Sequence, residues 1–293
     1  MPSKPIDKHR SLKISSPLGQ DLLLHAFDGH EKLGRLFTFN LDLRSTNPNI
    51  QFDEIIGQRV TVTLEMETGE LCFDGFVTAF RFTEEDGQFA SYQATVRPWL
   101  WFLTRTADCR IFQKQRVPDI IKAVFRDNGM SGFEDRLSQT YQKWDYCVQY
   151  RETDFDFVSR LMEQEGIYYF FEHSMGKHVV VLADSTGAHR EFPNYETVPY
   201  YAPGNAIARR KKEHLKQWTV TQEIKPGKLA LTDFDFKKPK VDLTTKVSQL
   251  RPHANPLHDD EIFDYPGAYH NFDQGDFYAD IRLQEIQAGH ETV

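Results

Sequence analysis

The densest group of side chains able to do chemistry is His253, His258, Asp259, Asp260 and Glu261, imidazoles and carboxylates of the kind that bind a divalent metal or activate water for hydrolysis. Metal chemistry of that type needs histidines aligned at i and i+4 on a helix, as in HExxH. This stretch has neither that order nor helical periodicity, and its prolines and polar neighbours predict a solvated loop. A second group, Asp154 and Asp156 with Glu163 and Glu165, has the composition of a general acid and base pair. Residues two apart on a helix do not face one another, however, and carboxylates in a first turn serve capping and the helix dipole. Cys147, between Tyr146 and Val148, reads as a packed thiol in a strand. GxSxG, a phosphate-cradling glycine loop and a dinucleotide fingerprint are all missing. No catalytic, cofactor-binding or metal-ligating residue is therefore assigned and no cofactor is expected. A hydrolase of unknown substrate, using the 253–261 group, stands as the rival reading.

Two aromatic runs, Trp99, Trp101 and Phe102, and Tyr168 to Phe171, have the surface needed to stack bases or sugars. No basic residues interleave them, so core packing is predicted instead. With 35 basic and 43 acidic residues the formal net charge is −8, which disfavours nucleic acid and anionic membrane as partners of the whole surface. Arg209, Arg210, Lys211 and Lys212 form one local basic run and Lys237, Lys238 and Lys240 another. Both read as solvated loop or strand ends.

The element with the clearest local signals is the one that carries Asp154. Thr153 is placed to cap a helix, Asp156 sits where a carboxylate bonds back to the cap, and Phe157, Val158, Leu161 and Met162 fall on one side. Gly166 closes the helix, and Ile167 to His173 leaves it as a strand that forms a hairpin with His178 to Ala183 across Met175 and Gly176. Upstream, Leu36, Thr38, Asn40 and Asp42 alternate with Phe37, Phe39, Leu41 and Leu43, a strand with one buried face. Val60 to Glu67, Cys72 to Phe82 and Phe89 to Val96 continue an antiparallel meander broken at Thr68–Gly69 and Asp86–Gly87. Between these regions, Pro118 at a first helical position, the face Ile120, Ile121, Val124 and Phe125, and the stop Asn128–Gly129 predict a helix, followed by a polar stretch from Ser131 to Lys143 and a short strand around Tyr146 to Tyr150. Further on, a second β region begins near Lys212, Gln217 to Ile224 and Lys228 to Phe236 flank Pro226–Gly227 as a hairpin, Lys237 to Asp260 is polar, and a helix is expected from Gln274 to Ala288.

At 293 residues, two or three packed domains are expected, and 23 Phe and 12 Tyr against 5 Met lean towards sheet-rich cores. The fold class is α+β, mainly β. The N-terminus lacks the apolar centre of a secretory signal and no run approaches a membrane span, so cytoplasmic synthesis and assembly are expected, with no stable membrane insertion of this region. Cys72, Cys109 and Cys147 are widely spaced and suggest neither a disulfide framework nor a thiolate metal site.

Five segments together carry a family resemblance: Ser16 to Leu43, Arg97 to Gln113 (RPWLWFLTRTADCRIFQ), Val117 to Phe125, Tyr146 to His173 and Phe263 to Tyr269 (FDYPGAY). In this order they resemble the VgrG spike proteins of the type VI secretion system, from about Leu12 to the C-terminus. The resemblance implies a non-enzymatic part like the baseplate hub of contractile phage tails: two similar antiparallel β-barrel domains per chain, packed as a homotrimer into a pseudo-sixfold ring. From the residues, Leu12 to about Pro98 reads as one barrel or sandwich domain followed by an α-containing insert; with the resemblance, the expected division is 1–11 as a flexible start, 12–98 as the first barrel, 99–184 as an α+β insert, and 185–293 as the second barrel with a loop-rich insertion and C-terminal helix. Implied partners are the hexameric tube protein Hcp, baseplate components and, through the complete spike, effectors; export to the extracellular space or a target cell follows. A phage or phage-like tail hub is the alternative within this architecture. Family members continue into an OB-fold and a β-helix needle, whereas this sequence stops at Val293. It is therefore expected to be the hub part of a longer protein, with a naturally short form as the alternative, and no needle or effector activity is assigned to it. Interface residues are left unassigned.

Overall fold

Strict alternation of apolar and polar residues decides the first sheet. In the computed structural model, which describes residues 11–66, 69–191, 197–201, 214–215, 217–249 and 260–292, strands β1 (Leu12–Ser15), β2 (Leu23–His30), β3 (Thr38–Ser45), β4 (Arg59–Met66), β5 (Gly69–Glu85) and β6 (Ala90–Arg97) form one antiparallel sheet in the order β1-β4-β5-β6-β3-β2. On β3, Phe39, Leu41 and Leu43 are buried while Asn40 and Asp42 are exposed, as the alternation predicts. The long β5 carries two bulges, at Thr78 and Thr83, and each threonine hydroxyl bonds across to a β6 carbonyl, Thr95 O at 3.2 Å and Ser91 O at 3.0 Å. Bulges bend a strand and increase its twist. The sheet accordingly curls, and its two edge strands, β1 and β2, approach one another.

A 3-10 helix, Trp99–Arg105, follows β6 and buries Trp99, Leu100 and Leu103. Next come β7 (Ala107–Phe112), β8 (Gln115–Arg116), α1 (Val117–Asp127), β9 (Phe133–Arg136), β10 (Lys143–Trp144), β11 (Cys147–Thr153), α2 (Asp154–Glu165), β12 (Tyr168–Ser174) and β13 (Lys177–Ala183). Both helices have the predicted faces: Ile120, Ile121, Val124 and Phe125 on α1, and Phe157, Val158, Leu161 and Met162 on α2, all join one core cluster with the curled sheet. Pro118 is the second helical residue rather than the first, behind Val117. Thr153 Oγ1 accepts from Asp156 N at 3.0 Å and donates to the Asp156 carboxylate at 2.7 Å, the capping arrangement read from the sequence. Four strands were hidden in the sequence pattern. The stretch after Arg97 contains β7, which pairs with β11, and β8, which pairs with β10 at the end of the polar stretch; that stretch, 131–143, also contains β9, which pairs parallel with β13. The Phe-Glu-Asp-Arg sequence of β9 lacks alternation because Arg136 lies between the carboxylates of Glu134 and Glu172, each at 2.8 Å, and ion pairing takes the place of an apolar face.

The chain separates into two compact units, 1–163 with 167–189, and 164–166 with 190–293. In the second unit β14 (Thr221–Gln222), β15 (Lys228–Leu231), β16 (Thr245–Ser248), β17 (Glu261–Asp264), α3 (Phe272–Gln287) and β18 (Glu291–Thr292) are described. The hairpin expected across Pro226–Gly227 is not formed. β14 pairs with β18, and β15 lies between β16, antiparallel, and β17, parallel. Burial explains the choice, because Leu229 and Leu231 pack with Leu243, Tyr278 and Leu283, whereas Thr221 and Gln222 are exposed and gain nothing beside them. Another strand missed by the sequence reading is β16, inside the polar segment 237–260. The predicted C-terminal helix is α3, started by Asn271, whose side chain accepts from Gln274 N.

Tyr269 holds this unit together. Its ring is buried and its hydroxyl donates towards Leu231 O at 3.0 Å and Leu243 O at 2.6 Å. The ring has room only because Gly267 and Gly275 have no side chain: a Cβ would overlap the ring at Gly267 and come within 2.7 Å of it at Gly275. Gly275 lies inside α3, where Ala normally stabilises by about 1 kcal/mol. Gly275→Ala is expected to do the opposite, destabilising by about 1–3 kcal/mol through overpacking, as read from urea unfolding. A gain in stability would show that Tyr269 can move aside.

Candidate functional site

Two cross-strand pairs face one another where the hairpin β12–β13 meets the curled sheet. Thr61 of β4 is opposite Asp74 of β5, and His173 of β12 is opposite His178 of β13. Asp74 accepts from Thr61 Oγ1 at 2.8 Å and lies 2.8 Å from His178 Nδ1, and both the Asp74 and His178 side chains are fully buried. His178 Nε2 accepts the main-chain N–H of Trp99 at 3.0 Å, so the hydrogen-bond network places the imidazole proton on Nδ1, donated to Asp74. His173 Nδ1 accepts Asp74 N–H at 3.0 Å, and Gly176 N–H donates to Thr61 Oγ1 at 3.1 Å. Burial pushes the His178 pKa below its ordinary value, against the pull of Asp74.

Hydroxyl, carboxylate and imidazole are the groups of an acid–base relay, but they are joined in the wrong order for one. The hydroxyl bonds to the carboxylate, the far imidazole nitrogen is taken by the backbone, and the rings of Phe37, Phe76 and Phe171 pack around His178 at 5.7, 5.9 and 6.2 Å. With both nitrogens engaged, His178 has none left for a substrate. The cluster is a clamp. A carboxylate flanked by Phe73 and Gly75 in a strand was the available signal, since an acid so placed requires a donor.

Asp154 is a second clamp. Its sequence position marks it as a first-turn charge, yet its carboxylate is buried and accepts from Gln149 at 2.8 Å, Asn128 at 2.9 Å and Thr106 at 2.9 Å, with Arg110 as its ion partner. It thereby joins β7, the end of α1, β11 and the start of α2. Burial opposes the charged form, but these donors and Arg110 outweigh it and hold the carboxyl below its ordinary range. Asp156 and Glu163 are exposed, so the four acids make no pair. Cys147 is buried and burial pushes its thiol up, away from reactivity.

Most of the remaining candidates fall where the structure gives no description. His253, His258 and Asp259 lie outside the described residues, as do Arg209, Arg210, Lys211 and Lys212; Glu261 begins β17 and pairs with Lys246 at 3.3 Å. Lys237, Lys238 and Lys240 are exposed. Among the described residues no group of three potential metal ligands occurs, and no described helix is long and apolar enough to cross a membrane. Tyr169 and Phe171 are core residues, as is Trp99, but Trp101 is only half-buried. The absence of interleaved bases proves misleading there, because Arg97 and Arg105 both lie over the Trp101 ring, at 5.1 and 4.7 Å. The described residues thus offer clamps inside and contact surface outside. On the outer face of the β7–β11 ladder, Ile111 and Tyr150 are 60% and 66% exposed.

Comparison with known proteins gives this geometry a context. A family model for the phage tail baseplate hub (GPD) matches residues 30–293. The type VI secretion system spike protein VgrG1b of Pseudomonas aeruginosa is 49% identical over 286 residues, 97% of this chain and 38% of that protein. The chain thus spans well under half of that relative. Among solved structures, the E. coli c3393 protein, a component of the type VI secretion system with structural similarity to the T4 bacteriophage tail proteins gp27 and gp5, superposes with a TM-score of 0.58 at 22% identity, over 73% of this chain and 56% of that one. A tail protein of Neisseria meningitidis MC58 superposes at 0.61 and 12% identity, over 95% and 78%.

Two outcomes follow from the clamps. Asp154→Ala removes the shared acceptor of Gln149, Asn128 and Thr106 and the nearest of the three carboxylates around Arg110, and is expected to cost about 1–3 kcal/mol in urea unfolding. His178 has a folded pKa below its ordinary 6.5, so the unfolded chain binds the extra proton first; stability is complete above 6.5 and declines as pH falls below it. Urea midpoints measured between about pH 8 and pH 5 should therefore fall more steeply for the native chain than for His178→Gln. Parallel curves would show that His178 does not govern the acid response.

Proposed function

Because the chain belongs to the phage tail baseplate hub family, among the VgrG spike proteins of type VI secretion, we propose that it acts as the homotrimeric structural base of the spike. In this reading residues 12–98 and 185–293 are two barrel-like domains, with 99–184 as the insert, and three chains close a pseudo-sixfold ring. Six similar domains then meet six subunits of the tube protein Hcp on one side while the trimer continues into the needle on the other. Contacts with the baseplate, effector delivery through the complete spike, and export after cytoplasmic assembly belong to the same proposal. The observation that carries it is the sequence identity along 97% of the chain, together with a family match that begins at residue 30 and runs through both compact units. The sheet supports it physically. An uncovered edge strand invites pairing with another chain, and a closed ring controls which chain that is.

The region is proposed to be non-enzymatic. The engaged nitrogens of His178 and the buried, paired Asp154 favour rigidity over turnover. A phage-like tail hub shares the architecture and differs in the tube it caps. The hydrolase alternative rests on the 253–261 group.

Light scattering across a concentration series tests the assembly. A mass three times the 34.2 kDa chain is expected. A stable dimer would contradict a threefold ring. The double change His253→Ala and His258→Ala should leave that mass unaltered, and a hydrolytic activity lost with it would favour the enzyme reading.

A further inference from the structure

Arginine and aromatic side chains form a continuous stack in the first unit that leads from rings packed against the core, Phe76 and Phe102, out to half-buried Trp101. Arg59 lies over Phe76 at 4.9 Å, Phe76 meets Phe102 at 5.5 Å, Phe102 meets Trp101 at 5.5 Å, and Arg97 and Arg105 lie over Trp101. Arg59 is engaged with Gly176 O and sits 4.0 Å from Asp74. The other two differ. Neither Arg97 nor Arg105 has a carboxylate within ion-pair distance among the described residues, although both guanidiniums lie about 5 Å from the same ring centroid and so no more than about 10 Å apart. Two like charges held this close on an indole are balanced best by an anion from outside. Trp and Arg are also the residues that dominate protein contacts.

The chain itself carries a matching surface. Residues 260–292 contain eight carboxylates and one basic residue, Arg282, against a net charge of −8 for the whole chain. On α3, Asp273, Asp276 and Asp280 follow at i, i+3 and i+7 and are exposed. Asp276 accepts from Thr245, while Asp273 and Asp280 are unpaired among the described residues, and the helical rise sets them about 10 Å apart. That separation lies within reach of the two guanidiniums. An indole already occupied by two guanidiniums is a poor platform for a nucleobase, and the charge of the chain repels a polyphosphate, so a protein carboxylate surface fits the stack better than nucleic acid.

We propose that the Arg97–Trp101–Arg105 stack docks the acidic outer face of α3 from a second copy of this chain. The contact is head to tail, the kind that closes a ring when its rotation allows. This inference rests on the homotrimer reading and names the surfaces that would join it.

The experiment is light scattering of the full chain and three variants: Arg97→Glu with Arg105→Glu, Asp273→Lys with Asp280→Lys, and all four together. Each charge reversal should weaken association about tenfold or more, added salt should weaken the native assembly, and the combined variant should regain most of the loss. Circular dichroism checks that each variant folds; if the first does not, Arg105→Glu alone, at an exposed position, replaces it. A native trimer indifferent to either reversal, or a combined variant no better than the single-sided ones, overturns the proposed contact while leaving the trimer standing. A native chain that stays monomeric at every concentration overturns the trimer reading, and this contact with it.

Discussion

A carboxylate withdrawn from water must be supplied with donors, and Asp74 is where that requirement ties the curled sheet to the rest of the first unit. Its two oxygens are used by Thr61 from the neighbouring strand and His178 from a hairpin far along the chain. Leaving such a charge uncompensated costs several kcal/mol, comparable with much of a domain's net stability. The register of β12 and β13 against β4 and β5 is therefore tightly specified. His178 passes the constraint on, because its other nitrogen holds the main chain of Trp99 and sets the direction in which the chain leaves β6.

Asp154 repeats the principle elsewhere in the first unit. There the charge gathers the beginning of β7, the end of α1 and the start of α2 around one carboxylate. Between the two acids runs a single apolar cluster that includes Phe37, Phe39, Trp99, Phe125, Phe157 and Phe171. Dispersion and burial supply the bulk of the stability, and the two polar clamps select one packing among those that burial alone would permit. The second unit is built differently. Its described core is small and centred on Tyr269, and many of its large apolar side chains, Phe234, Phe236 and Phe263 among them, stay exposed. Among the described residues, exposed apolar side chains of that size mark surface suited to contact.

These features agree with a hub. A rigid part gains from a buried, fully bonded imidazole such as His178. What it requires is surface, and the surface is distributed unevenly: arginines on an indole in one place, a run of carboxylates along α3 in another. That distribution, more than any catalytic residue, is the chemical information carried outside the core.

Local period decided much of this structure in advance. The alternation on β3, the apolar faces of α1 and α2, the Thr153–Asp156 cap and the turn at Met175–Gly176 depend on side chains only a few residues apart, so the sequence alone determines them. The family resemblance likewise rests on linear order. Tertiary structure decided whatever depends on a partner distant along the chain: β7 against β11, β9 beside β13, and β14 with β18 in place of the expected hairpin. Above all it decided the two acids, since Asp74 and His178 are 104 residues apart and Asp154 and Arg110 are 44 apart. A carboxylate in a strand announces a need for donors, but which donors meet it is settled by burial across the fold, where no local period reaches.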